Sequence, residues 1–139
     1  MSSYLVTGAG RGLGLQFVQL LSKRPMSEVS IVLATVRGSI SKELQQVARE
    51  SQGHVVVVHL VPTNANSIAR AVEVVKQKLA GRGLDVLINN AGMMEASESV
   101  ELMNNLRRTL ELNVESVHNI TSALLPLLRE GTQKKVLNL

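Results

Sequence analysis

The stretch His54–Val61, "HVVVVHLV", constrains the fold more than any other. Its apolar residues fall on odd and even positions alike. In a strand those positions point to opposite faces, so both faces need an apolar cover. Similar runs recur: "YLVT" (4–7), "VSIVLATV" (29–36), "LDVLINN" (84–90) and the closing "VLNL" (136–139). Helical patterns lie between them. Leu13, Phe17, Leu20 and Leu21 recur at helical spacing before Pro25; "SKELQQVARES" (41–51) is a short polar helix; Ile68, Val72, Val75 and Leu79 mark one face of a third, closed by Gly81 and Gly83. A long helix is expected over 98–129. The order β-α-β-α-β-α-β-α-β with short connections predicts an α/β, doubly wound parallel sheet of Rossmann type, ending after a fifth strand.

The chain has 139 residues, which suits a single domain over 1–139. Aromatic residues make up 1% of it, so the core must be aliphatic. The 15 Lys and Arg against 11 Asp and Glu are interspersed with acids, as in "RPMSE", and read as solvated helix faces, not a nucleic-acid stripe. With no cysteine there is neither a disulfide scaffold nor a thiolate metal site. No apolar run approaches the roughly 18 residues of a membrane span, and the first strand begins at once. A cytoplasmic location is the expectation.

"TGAGRGLG" (7–14) joins the first strand to the first helix. Its glycines fit GxxxGxG on Gly8, Gly12 and Gly14. Gly8 permits a tight turn, Gly12 lets a pyrophosphate approach the backbone, and Gly14 allows the helix to pack closely on the strand. The helix N-terminus adds unpaired N–H groups and a positive dipole end. A glycine-rich βα turn without a ligand would have the same composition, and the loop's place after the first strand favours the nucleotide.

With "NNAG" (89–92) after the fourth strand, this loop resembles the short-chain dehydrogenase/reductase family. "TGAGRGLGLQFVQLL", "VLATVRG" and "GLDVLINNAGM" are similar to its NADPH-dependent carbonyl-reductase branch. The resemblance implies a cofactor site built from Thr7, Gly8, Arg11, Gly12, Leu13, Gly14, Arg37, Asn89, Ala91 and Gly92, with Asn90 tying the sheet. NAD enzymes of the family tend to carry an acid after the second strand. Here the chain reads "TVRG", and a guanidinium at Arg37, with Arg11, suits the 2′-phosphate of NADP. Two ordinary surface arginines are the other reading. The family's Asp at the end of the third strand, which meets the adenine amino group, is replaced by Val61, followed by Pro62. The loss of that contact should cost about 1 kcal/mol of cofactor affinity, one ordinary hydrogen bond.

The long helix is expected to bury Leu102, Leu106, Leu110, Val117, Ile120 and Leu124, with Asn113 inside the stripe. A buried Asn needs partners; its own helix backbone is one possibility. By resemblance, "LELNVESV" makes Asn113 the catalytic-site Asn that holds a water in a proton relay. The family's Ser and Tyr-x-x-x-Lys follow the fifth strand, and "VLNL" is similar to that strand. Tyr4, the one tyrosine, lies in the first strand and cannot serve. The expectation is therefore the N-terminal portion of an NADPH-dependent reductase of a ketone or aldehyde, probed as an inactive half or as a non-catalytic NADP-binding protein in its own right. A scaffold that binds no nucleotide is a third reading, and Val61 is its best support. Self-association is expected through the long helix 98–129 and the strand edge 136–139.

Overall fold

The computed structural model describes residues 1–94 and 97–139. Five strands, β1 (Ser2–Val6), β2 (Val29–Val36), β3 (Val55–His59), β4 (Val86–Asn89) and β5 (Lys135–Asn138), form one sheet in the order β3-β2-β1-β4-β5. All neighbours pair in parallel. The order reverses direction between β1 and β4, which opens a crevice at the C-terminal ends of the strands.

The apolar strands find cover on both faces. Leu5, Leu33 and Leu87 point to one side, where Ile68, Ala71, Val75 and Leu79 of α3 (Ala65–Leu79) and Ile120, Leu124, Leu127 and Leu128 of α5 (Ser116–Glu130) meet them. Val6, Val32, Ala34, Val86 and Ile88 point to the other. There they meet Val18 of α1 (Gly12–Ser22) and Leu44 of α2 (Lys42–Glu50). The buried hydrophobic residues are aliphatic throughout. β5 is an edge strand whose four residues are all exposed.

The expected helix over 98–129 is corrected. The helix starts as α4 (Leu106–Leu110), widens into a π-helical turn at Glu111–Glu115, and continues as α5. Before it, the Ser97 hydroxyl donates to the Ser99 carbonyl and Met103 N–H turns back onto the Val100 carbonyl. Such local bonds compete with helix formation. The π turn inserts an extra residue and rotates the helix face. The expected stripe is therefore split. Ile120 and Leu124 are buried, whereas Leu102, Leu106 and Leu110 are exposed.

At the lower end of the sheet, the Asp85 carboxylate joins three segments. It accepts from Ser3 N–H (2.8 Å), the Ser3 hydroxyl (3.1 Å), Thr132 N–H (2.7 Å) and Gln133 N–H (3.2 Å). Burial by itself would raise its pKa. The N–H groups of Ser3, Thr132 and Gln133 and the Ser3 hydroxyl outweigh burial and hold it below its ordinary value.

A candidate dinucleotide cleft

The crevice at the upper end of the sheet is walled by four loops. Gly8, Gly10, Arg11 and Gly12 come from the β1–α1 connection; Thr35, Val36, Arg37, Gly38 and Ser39 from the end of β2; Leu60 and Pro62 from the end of β3; Asn90 to Met94 from the end of β4. Arg108 of α4 and Leu112 of the π turn complete the wall. Three arginines and no carboxylate line it among the described residues. A separate groove between α1 and α2, lined by Lys23, Glu43 and Glu50 among others, contains no residue of the glycine loop 7–14 or of 89–92.

The glycine loop has the geometry its composition suggests. Gly8 has φ +65°, and a Cβ there would lie 2.9 Å from Ala91 Cα. A Cβ on Gly14 would lie 2.3 Å from the Gly8 carbonyl oxygen, so α1 packs on the loop only because that side chain is missing. Gly12 has φ +57°, with nothing within 4 Å of a Cβ. The first turn of α1 starts there. Arg11, in its N-cap position, offers no side-chain acceptor, and the turn contains no acidic residue. By contrast Ser41 caps α2 and Asn64 caps α3. The N-terminal amides of α1 are thus left without a side-chain cap at the cleft, where an anion can take them up.

Thr7 and Asn90 fasten the loop to β4. The Thr7 hydroxyl oxygen accepts from Asn90 N–H and Ala91 N–H, both at 3.0 Å. The Asn90 amide donates to the Thr7 and Gly8 carbonyls at 3.0 and 3.2 Å. Thr7 is buried and Leu13 is exposed, and neither lines the cleft. Arg11 and Arg37 line it, both exposed, and neither is paired with a carboxylate among the described residues.

The two asparagines of "NNAG" differ from their expected division of labour. Asn90 lines the cleft as well as tying the sheet, whereas Asn89 is buried and lies outside the lining. Its amide donates to the Thr121 hydroxyl (3.0 Å) and the Asn138 side-chain oxygen (2.8 Å). That joins β4 to α5 and β5. The alternation of the strand explains the exchange: Asn89 is the last residue of β4, pointing into the layer, and Asn90 is the first residue of the loop.

Asn113 is exposed, not buried, and its partner is not its own helix. Its Oδ1 accepts from Met93 N–H (2.8 Å) and its Nδ2 donates to the Met93 carbonyl (2.7 Å). The π turn presents it to the loop after β4. Gly92 makes the approach possible, since a Cβ there would stand 3.1 Å from Asn113 Oδ1. Sequence reasoning missed Arg108 and Ser39 as cleft residues. Ser39 lies two residues past Arg37, in the same loop. Arg108 could be found only by allowing the helix face to rotate at the π turn.

The family model described as short chain dehydrogenase matches residues 3–139. The chain belongs to the short-chain dehydrogenase family. It is similar to the short-chain dehydrogenase/reductase AacuF of Aspergillus aculeatus, at 32% identity over 100% of this chain and 54% of that protein. Among solved structures it resembles an NADPH-bound carbonyl reductase from chicken fatty liver, at 33% identity and a TM-score of 0.80, covering 94% of this chain and 52% of the other. It also resembles the carbonyl reductase Sniffer of D. melanogaster, at 29% identity and a TM-score of 0.84, covering 94% and 53%. The chain thus spans about half the length of these relatives. Among the described residues no helix is long and apolar enough to cross a membrane.

Proposed function

We propose that the cleft binds NADP(H), as the cofactor-holding part of a reductase of small ketones or aldehydes. The observation that carries this reading is the charge of the lining. Arg11 and Arg37 stand at the uncapped start of α1 and the end of β2, and no carboxylate shares the cleft among the described residues. In a Rossmann crevice the first helix start takes the pyrophosphate and the end of the second strand takes the ribose. An acid at the second place would favour a free 2′-hydroxyl. A guanidinium there favours a 2′-phosphate, which it can grip through two parallel N–H bonds.

When bound, the cofactor would supply the hydride. The residues of this chain position it. Gly8 and Gly12 bring backbone up to it, Gly14 lets α1 pack on the loop, Ala91 and Gly92 edge the ribose, and Thr7 holds the two loops in register. Asn113 is the family's relay position, and its grip on Met93 fixes the loop after β4 against the widened helix turn. Tyr4, the chain's one tyrosine, lies in β1 and does not line the cleft, so it is not the proton donor in this reading.

Titration with NADPH and NADH, followed by nicotinamide fluorescence, tests the reading. A charge-assisted bond is worth roughly 1.5–3 kcal/mol, so Arg37→Ala should weaken NADPH about ten- to a hundredfold and barely change NADH. Equal losses for the two cofactors would overturn the assignment of Arg37 to the phosphate.

A further inference from the structure

We propose that the lower end of the sheet, opposite the cleft, docks on an anionic lipid surface. Four segments meet there: 2–3, 23–28, 81–85 and 129–135. Ser2 N–H donates to the Glu28 carbonyl (2.7 Å), and the Gln133 side-chain amide donates to the Ser2 hydroxyl. The Ser3 hydroxyl donates to the Gly83 carbonyl (3.0 Å), and Asp85 gathers Ser3, Thr132 and Gln133. These segments carry six cations, Lys23, Arg24, Arg82, Arg129, Lys134 and Lys135, and three acids, Glu28, Asp85 and Glu130. The balance is a net +3, against +4 for the whole chain. All six cations are exposed. Glu28 is spent on Arg24 (3.8 Å), the one ion pair among the described residues, and Asp85 is buried.

The helix dipoles explain part of this gathering. α1, α3 and α5 all end here, and Arg82 Nε donates to the Leu79 carbonyl in the last turn of α3 (3.5 Å). They do not explain Lys134 and Lys135, which lie beyond α5 at the start of β5 and pair with no acid among the described residues. Lys134 has φ +54°, in the left-handed region that a glycine would occupy without strain. A charge is therefore kept at a backbone cost. Beside the cations stands Met26, 61% exposed, in the Pro25–Glu28 turn. A layer of anionic headgroups takes both kinds of side chain: the cations meet the headgroup charge, and the unbranched thioether enters the acyl boundary. The four segments contain no aromatic residue on which single-stranded nucleic acid could stack. The contact is with the surface and needs no spanning helix. It leaves the cleft, at the other end of the strands, facing away from the lipid.

Co-sedimentation of the 139-residue chain with vesicles tests this. The chain should bind phosphatidylcholine vesicles containing about 30% phosphatidylserine, and not phosphatidylcholine alone. Raising the salt from about 0.05 M to about 0.5 M should release it. Replacing Lys134 and Lys135 together by Gln should lower the partition coefficient about twentyfold, with the urea midpoint and NADPH affinity unchanged. Met26→Ser should lower it about threefold. Arg37→Ala, at the far end, should change it less than about twofold. Equal binding to both kinds of vesicle overturns the proposal, as does full binding by the double Lys variant. An Arg37→Ala loss as large as that of the double variant also overturns it, because net charge alone would then be at work. So does binding to single-stranded RNA with none to the anionic vesicles, which would assign the cations to a nucleic acid.

Discussion

The two ends of β4 meet their surroundings in opposite ways. At the lower end, Asp85 accepts four hydrogen bonds, and backbone packs on backbone: a Cβ on Gly83 would lie 2.0 Å from Gly131 N, and one on Gly131 would lie 2.1 Å from the Leu84 oxygen. There the polar groups and the glycines are taken up by contacts within the chain. At the upper end, Thr7 and Asn90 tie the loops together, yet the first amides of α1 have no side-chain cap and Gly12 faces open space. Both ends are glycine-rich, but only the upper one spends its glycines on access. The difference teaches that glycine content alone does not mark a site; what a Cβ would strike does.

The largest effect is expected where a methyl strikes backbone at either end. Gly131→Ala and Gly14→Ala should each cost about 3 kcal/mol or more, through overpacking that a close-packed interior cannot relax. Urea denaturation measures this directly. A loss under about 1 kcal/mol at Gly131 would break the comparison, because it would show a lower end that yields.

Next in size is Asp85→Asn, which sets an amide beside N–H groups that need an acceptor and should cost about 2 kcal/mol. Its pH dependence has a definite sign. The folded pKa is depressed below the ordinary 3.8, so the carboxylate's contribution is fully present above that value. It is lost as the pH falls below it and through the folded pKa. The unaltered protein should therefore lose stability on the acid side more steeply than Asp85→Asn, with urea midpoints compared between about pH 6 and 3. Parallel acid limbs would show that the lower end is held by packing alone.

How much of this was legible in the sequence follows from the range of each interaction. The doubly wound sheet could be read because "VSIVLATV" and "HVVVVHLV" are apolar on both faces, a local property that demands two covering layers. The glycine loop could be read because Gly8, Gly12 and Gly14 lie within seven residues of one another. The start of the last helix could not, because a Ser97–Ser99 side-chain bond and a π turn at Glu111–Glu115 overrode an apolar spacing that looked continuous. The partner of Asn113 was hidden for a different reason: Met93 stands 20 residues away. Asp85 is one polar residue in "LDVLINN", and only the fold brings Ser3, Thr132 and Gln133 to it.

The smallest change in stability, and the sharpest test of the comparison, is expected from Gly12→Ala. The left-handed φ of +57° costs an alanine roughly 1 kcal/mol, and no neighbour lies within 4 Å to add a packing cost. In the protein alone this methyl is therefore nearly harmless, unlike the one at Gly131. In the complex it would stand in the cleft at the helix start, where a pyrophosphate has to approach the backbone. NADPH and NADH should both weaken by about tenfold or more, whereas Arg37→Ala separates them. Calorimetric titration of the two cofactors, beside a urea curve on the same preparation, reads both quantities. Unchanged affinity would mean that Gly12 serves the turn alone, and that its open space is not where the cofactor approaches the backbone.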